Sequence, residues 1–213
     1  PLMSRYTWLL DAGHGGIIDG IYQTAGKRSP NFPDGSVLYE GEFNRAVVKQ
    51  VLKLSRSKFC GDPNIKIIDI LDGSREDIPL RQRISIANKI HKEENNCIFV
   101  SVHANAFGNG KEFNQAKGGC TFHHYKSSKG KKLAESLQKH LADITPLRDR
   151  GIRSNDTWAN FYVLRKTHMP AVLSENGFMT NFDDATALLD PGVRRQIAAA
   201  HWGMIQEIEK NGL

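Results

Sequence analysis

The chain has 213 residues, of which 39% are hydrophobic, enough to bury a sizeable core, and this excludes a disordered chain. Its formal charge of +6 suits a protein that works near anionic polymers without specifying which polymer. No apolar stretch reaches the length of a membrane helix and the N-terminus lacks the order of a secretory signal, so we expect no membrane span and no signal peptide in this chain.

Short apolar runs alternate with amphipathic segments along the whole length. This pattern predicts an α/β fold whose twisted, mostly parallel sheet is flanked by helices on both faces. Runs of β-branched, aromatic or aliphatic residues bounded by turn residues predict six strands in one sheet. The predicted strands are residues 8–10, 65–70, 97–102, 120–125, 161–164 and 171–173.

Apolar residues at helical spacing predict four amphipathic helices. Their stripes are Phe43, Val47, Val51 and Leu54; Leu80, Ile84 and Ala87; Leu133, Leu137 and Leu141; and Val193, Ile197, Ala200, Met204 and Ile208. Asn181, three residues before Asp184, predicts the N-cap of a further short helix. The polar stretches 15–36 and 107–118 are too long for tight connections. With no internal repeat, the chain is expected to form a single domain over residues 1–213.

Two histidines directly follow predicted strands. His14 stands between glycines after the first strand, and His103 follows the apolar run 97–100. A single histidine at such a place is more often a hydrogen-bonded structural residue. Because neighbouring parallel strands end at one edge of a sheet, where α/β folds bind ligands, two such histidines could converge on a zinc ion.

A third ligand is expected among the carboxylates. Glu40 lies where the first long loop gives way to a helix, with Glu42 as its rival, and both also fit a solvated first turn. Glu40 is preferred because it lies four residues before Asn44, on the same helix face. Glu175 follows the last predicted strand, where a buried acid either pairs with a base such as Arg165 or serves catalysis beside a metal. Two histidines and two carboxylates match a catalytic zinc site.

With these motifs the chain resembles the zinc-dependent N-acetylmuramoyl-L-alanine amidases of the amidase-3 family, found among bacterial cell-wall hydrolases and phage endolysins. The resemblance is carried by LLDAGHGG at 9–16, EGEFN at 40–44, LRQRISIAN at 80–88, SVHANA at 101–106, FYVLRKTHMPAVLSENGFMTN at 161–181 and the closing amphipathic helix. It implies a six-stranded, mostly parallel sheet flanked by helices. It also implies one zinc ion bound by His14, Glu40 and His103, with Glu175 as the catalytic carboxylate.

The activity implied by the resemblance is hydrolysis of the amide bond between N-acetylmuramic acid and L-alanine of the peptidoglycan stem peptide. Zinc would activate a water molecule and a glutamate would act as general base. The protein would act on the bacterial cell wall as a monomeric autolysin or endolysin that is secreted, periplasmic or released on lysis. The alternatives are another zinc peptidoglycan hydrolase of carboxypeptidase type and a non-catalytic cell-wall-binding domain.

Three residues are expected around the metal ligands. Asp11 is close enough in sequence to accept a hydrogen bond from His14, although it could equally cap a turn. Asn105 and Arg83 are expected in the cleft, with a structural salt bridge as the ordinary role of Arg83. Gly41 departs from the family motif, which often has a basic residue at that place. The segment after the second histidine also lacks the insertion that covers the zinc in some relatives.

Basic residues cluster at 126–132 and recur at Arg148, Arg150 and Arg153. Their ordinary explanation is a solvated face, and their functional explanation is attraction to anionic wall polymers. Nucleic acid is not expected as a partner because the basic residues are scattered and do not alternate with aromatic residues along a strand.

Overall fold

The computed structural model describes residues 3–156 and 159–213. In chain order its first half comprises β1 (Thr7–Ala12), β2 (Ile17–Ile18), β3 (Ile21–Tyr22), α1 (Glu40–Ser55), β4 (Lys66–Asp69), α2 (Leu80–Glu94) and β5 (Cys97–Asn105). The second half comprises β6 (Gly119–His123), α3 (Ser128–Ile144), β7 (Asp149–Ser154), α4 (Tyr162–Lys166), β8 (Ala171–Phe178), α5 (Phe182–Leu189) and α6 (Pro191–Asn211). None of these helices is both long enough and apolar enough to cross a bilayer.

One six-stranded sheet organises the molecule, in the order β4-β1-β5-β8-β6-β7. All neighbouring pairs run parallel except β6 and β8, which are antiparallel. The predicted α/β class with a mostly parallel sheet is confirmed. Strands β1, β5 and β8 lie side by side in its centre, and His103 of β5 stands opposite Glu175 of β8 in the register.

Helices cover both faces of the sheet, as predicted. Within β1, the indole N–H of Trp8 donates to Glu209 of α6 over 2.9 Å, whereas Asp11 pairs with Arg83 of α2 over 2.8 Å. Because side chains of a strand alternate between its faces, positions 8 and 11 point to opposite sides, and α6 and α2 therefore lie on opposite faces. Helices α1 and α3 pack beside α6, and α4 packs beside α2.

Five of the six strand predictions are confirmed, with their ends shifted by a few residues. The prediction of a strand at 161–164 is wrong, because Tyr162–Lys166 form helix α4. The sixth strand is β7, whose sequence DRGIRS contains no apolar run. A four-residue apolar run does not distinguish a strand from a short helix, and an edge strand that pairs only with β6 needs little apolar surface.

The helix predictions are confirmed. The four apolar stripes lie in α1, α2, α3 and α6, and most of their residues are buried, with Leu80 half-exposed at the start of α2. The Asn181 side chain accepts a hydrogen bond from the Asp184 N–H over 3.0 Å and caps α5 as expected.

A fully buried histidine joins α6 to the central strand β8. The Nδ1–H of His201 donates to the Ile197 carbonyl over 2.7 Å, and Nε2 accepts from the Ser174 hydroxyl over 2.9 Å. Burial lowers the pKa of His201 from 6.5 to about 4. The imidazole is therefore neutral in the folded protein across the range in which an exposed histidine takes up a proton.

We expect His201 to make the protein less stable in mild acid. Between pH 7 and pH 5 the unfolded chain protonates this side chain and the folded protein does not. The free energy of unfolding should therefore fall as the pH falls, by about 2 kcal/mol from this group. His201→Gln should remove that part of the pH dependence in urea unfolding of the metal-free protein. The exposed His168 supplies the control, and a His201→Gln profile parallel to that of His168→Gln would contradict the prediction.

Candidate metal centre

His14 lies in a glycine turn directly after β1. Its backbone is left-handed, with φ of 62°, which is uncommon for a residue with a side chain. A Cβ atom on Gly13 would lie 2.1 Å from the His103 ring, so only glycine lets the end of β1 approach that ring. The turn therefore brings the two predicted histidines together, with their ring centroids 5.2 Å apart and nearly perpendicular.

Glu40 is the first residue of α1, and the helix begins directly against the glycine turn. Its N–H donates to the Lys27 carbonyl over 3.0 Å, which holds the helix start to the long loop. A Cβ atom on Gly41 would lie 1.7 Å from the Gly15 carbonyl oxygen. This contact explains why Gly41 departs from the motif: the backbones pack too closely here for any side chain.

The side chains of His14, Glu40 and His103 form one cluster, as the sequence analysis expects of metal ligands. Oε2 of Glu40 lies 3.2 Å from His14 Nε2, and Oε1 lies 3.0 Å from His103 Nδ1. One atom from each residue can be chosen so that all three lie within 4.8 Å of one another. Glu40 is buried, with 3% of its side chain exposed, whereas His14 and His103 are 23% and 14% exposed. These three residues could hold a metal ion that remains open to solvent.

The rival carboxylate, Glu42, points elsewhere. It forms a bidentate ion pair with Arg194 of α6, with N–O distances of 2.8 and 2.9 Å. The preference for Glu40 over Glu42 therefore agrees with the geometry. Asn44, on the face of α1 that carries Glu40, donates to the Gly13 carbonyl over 3.0 Å and so also contacts the turn.

The Glu40 carboxylate stays ionised although it is buried. Burial raises its pKa, but hydrogen bonds with His103 and His14, and the charges of both rings, outweigh burial and lower the pKa to about 2. A negative charge is thus held between two imidazoles at neutral pH.

Glu175 behaves in the opposite way. Its carboxyl group is buried, and among the described residues its Oε2 atom has no hydrogen-bond partner. Burial raises the pKa of Glu175 well above its usual value, and the nearby charge of Glu40 raises it further, against the opposing charge of Lys27. The alternative of an ion pair with Arg165 is wrong, since that guanidinium lies over the Tyr162 ring at 5.3 Å.

Asp11 and Arg83 support the cluster from the sheet side. Arg83 donates to Asp11 Oδ1 over 2.8 Å, Ser101 donates to Oδ2 over 2.7 Å, and the Ser101 oxygen lies 3.0 Å from His103 Nε2. Asp11 thus reaches His103 through Ser101, whereas the sequence suggested His14. Because the serine proton goes to Asp11, its oxygen accepts from the Nε2–H of His103. Nδ1 of the same ring faces the Glu40 carboxylate.

Four of these residues line a cavity of about 360 Å³: Asp11, His14, Arg83 and His103. Among the described residues, Asn105 is not part of this lining, although the sequence placed it in the cleft. Its side-chain oxygen accepts from the Ala106 N–H over 2.9 Å, and it ends strand β5.

Sequence reasoning missed Arg45, which contacts the main chain of His14 and of Gly41, next to Glu40. It donates to the carbonyl of His14 over 2.8 Å and to that of Gly41 over 3.1 Å. An arginine in the first turns of an amphipathic helix is ordinarily solvated, so no sequence pattern marks it. Its position directly after the EGEFN motif is the one signal that could have drawn attention to it.

Comparison with known proteins points to one family. The profile of the N-acetylmuramoyl-L-alanine amidase family matches residues 9–207. The chain is 32% identical to an uncharacterized cell wall amidase of Bacillus anthracis, over 97% of this chain and 36% of that protein. It is 30% identical to the N-acetylmuramoyl-L-alanine amidase LytC of Bacillus subtilis, over 85% of this chain and 31% of that protein. The chain thus spans about a third of the length of these two relatives.

Solved structures agree with the fold. An N-acetylmuramoyl-L-alanine amidase from Clostridium difficile 630 is 27% identical, with a TM-score of 0.76, over 99% of this chain and 100% of that one. The catalytic domain of the amidase CwlV from Bacillus (Paenibacillus) polymyxa is 28% identical, with a TM-score of 0.72, over 95% of this chain and 97% of that one.

The close packing at Gly41 can be tested by adding one methyl group. Helix propensity alone would make Gly41→Ala stabilising by about 1 kcal/mol. Because the new Cβ would meet the Gly15 carbonyl oxygen, we expect the free energy of unfolding to fall instead, by about 1–3 kcal/mol. Gly26→Ala, whose Cβ would meet no atom within 4 Å, is the control for urea unfolding. Equal stability of the two variants would show that the contact is not restrictive.

Proposed function

The chain belongs to the N-acetylmuramoyl-L-alanine amidase family, and we propose that it hydrolyses the amide bond between N-acetylmuramic acid and L-alanine in peptidoglycan. The observation that carries this proposal is the His14–Glu40–His103 cluster, three side chains that could hold a metal ion near the carboxyl ends of β1 and β5. The named relatives and the matched profile support the substrate, and the geometry supports the chemistry.

We propose that His14, Glu40 and His103 bind one zinc ion. Two imidazoles and one carboxylate are the donor set of catalytic zinc sites that keep a fourth position open. Two ring nitrogens face the Glu40 carboxylate, His103 Nδ1 at 3.0 Å and His14 Nε2 at 3.2 Å. Without a cation these contacts are hydrogen bonds, and a cation can take the place of the shared protons, so the residues fit a metal. When bound, zinc supplies Lewis acidity, which polarises the scissile carbonyl and makes water a stronger acid.

Glu175 is the proposed general base and general acid. Its Oε2 atom would accept a proton from the attacking water and pass it to the nitrogen of L-alanine as the C–N bond breaks. The products are a free lactyl carboxyl group on the sugar and a peptide with a free amine. Burial raises the pKa of Glu175, so this carboxyl group holds a proton more readily than an exposed one, which suits the transfer of that proton to the departing nitrogen.

The two buried carboxyl groups, Glu40 and Glu175, have different proposed tasks. Glu40 is held negative by two imidazoles and serves as a ligand, whereas Glu175 has no partner for Oε2 among the described residues and serves proton transfer. We propose further that residues 9–207, which match the family profile, act on the bacterial cell wall as one catalytic domain and as a monomer. Basic residues such as Arg148 and Lys132 would then face anionic wall polymers.

Product analysis separates this function from its rivals. An amidase acting on purified peptidoglycan releases one free amine of L-alanine for each free lactyl carboxyl group. A zinc carboxypeptidase would cut between amino acids and leave the lactyl amide intact. A wall-binding domain without activity would sediment with peptidoglycan and release neither product, so either result would overturn the proposal.

We expect Glu175→Gln to abolish most hydrolysis while leaving the metal in place. An amide of the same shape cannot accept the proton of the attacking water, so the rate should fall by about 10²–10⁴-fold. Zinc content and the circular dichroism spectrum should match those of the wild type. Glu135→Gln on the exposed face of α3 is the control and should keep full activity. Full activity of Glu175→Gln would remove this residue from the mechanism.

We expect His103→Ala to lose the metal itself. Removal of one of three protein ligands should reduce bound zinc from about one ion per chain to nearly none, and activity should be lost with it. Elemental analysis after dialysis measures the zinc, with His168→Ala as the control because that side chain is exposed. Retention of stoichiometric zinc by His103→Ala would exclude this histidine as a ligand.

A further inference from the structure

The turn that carries His14 has an unfavourable backbone conformation that hydrogen bonds from two arginines stabilise. The residue is flanked by Gly13 and Gly15, and its own φ of 62° costs of order 1 kcal/mol for a residue with a side chain. Its carbonyl oxygen accepts two hydrogen bonds from charged donors, from Arg45 over 2.8 Å and from Arg83 over 2.7 Å. Such charge-assisted bonds are among the stronger ones that proteins make.

The two guanidinium groups hold different parts of the site. Arg83 is engaged with Asp11 and with the carbonyls of residues in β1 and before α2, so it fixes the turn to the sheet. Arg45 joins the turn to the start of α1, because the Nη1 atom that bonds His14 also donates to the Gly41 carbonyl over 3.1 Å. Arg45 thus connects the segment of one candidate ligand to the segment of another.

The other donors of Arg45 fix the guanidinium in the loop before α2. Nε donates to the Ser74 carbonyl over 3.0 Å and Nη2 to the Glu76 carbonyl over 3.2 Å. Within residues 3–156 and 159–213, no carboxylate forms an ion pair with Arg45, and all four of its acceptors are main-chain carbonyls. A planar fork of donors suits this arrangement, and a lysine could not reproduce it.

We propose that Arg45 is a positioning residue that sets the spacing between His14 and Glu40 and thereby the affinity of the site for zinc. This inference rests on the proposed zinc site. Residues that orient metal ligands without touching the metal typically account for a 10- to 100-fold difference in metal affinity. Without Arg45, the glycine turn would sample conformations in which His14 lies away from Glu40, and zinc binding would have to select the correct one.

The variant Arg45→Ala should fold. The side chain is half-buried, and of the residues whose carbonyls it leaves, Glu76 is exposed and His14 and Ser74 are half-buried, so that water can reach them. Asn44 still holds the turn through the Gly13 carbonyl, and Arg83 still bonds His14. Arg83→Ala is a poorer test, because it would leave Asp11 buried and unpaired, which is strongly destabilising.

The test compares the zinc dissociation constants of the wild type, Arg45→Ala and Lys49→Ala, measured by competition with a chromophoric chelator. Lys49 is exposed one turn further along α1 and is the matched control. We expect zinc binding to weaken by about 10- to 100-fold in Arg45→Ala and to stay unchanged in Lys49→Ala. Guanidinium ion, at concentrations that do not unfold the protein, should tighten zinc binding to Arg45→Ala and leave the wild type unaffected.

The inference is overturned if Arg45→Ala binds zinc as tightly as the wild type, or if Lys49→Ala weakens binding equally. It is also overturned if guanidinium ion does not restore the affinity, because the loss would then not come from the missing donors. Thermal unfolding of the metal-free proteins checks that each variant is folded, and Arg45→Gln replaces Arg45→Ala if the latter is not. A wild type that binds no zinc would instead refute the proposed function.

Discussion

The buried carboxylate of Glu40 is the constraint on which the site depends. Burial alone would drive this group to its neutral form, yet two imidazoles 3.0 and 3.2 Å away hold it ionised. Such a group is stable only where its partners are already in place. The end of β1, the start of α1 and the end of β5 must therefore meet at one point, and the packing around that point follows from this requirement.

The parallel sheet brings most of these segments together. Strands β1 and β5 are parallel neighbours, so His14, just after β1, and His103, near the end of β5, lie at the same end of the sheet. Strand β8 places Glu175 opposite His103. The two carboxylates then differ only in their surroundings. Glu40 has two imidazoles as partners and its pKa falls, whereas Glu175 has none for Oε2 in the described part of the chain and its pKa rises. One fold thus shifts the pKa of the same type of side chain in opposite directions, as the proposed roles of Glu40 and Glu175 require.

Much of this arrangement could be predicted from the sequence, because strand ends in an α/β fold carry positional information. That rule brought out His14, His103 and Glu175, and helix spacing favoured Glu40 over Glu42. The rule fails where a segment has no pattern. The edge strand β7 has no apolar run, and the four residues 161–164 read as a strand although they begin α4. Local periodicity is too short a signal to decide either case.

The residues that escape prediction act through the main chain. Gly13 and Gly41 matter because they have no side chain, which lets the backbone approach the His103 ring and the Gly15 carbonyl. Gly13 and Gly15 give the turn around His14 more backbone freedom than other residues would, and hydrogen bonds from Arg45 of α1 and Arg83 of α2 hold its carbonyl. Gly13 and Gly41 therefore permit the close approach of the backbones, and Arg45 stabilises it. Neither the glycines nor the arginine form a recognisable sequence motif, because every residue has a carbonyl oxygen and only the fold determines which carbonyls are contacted.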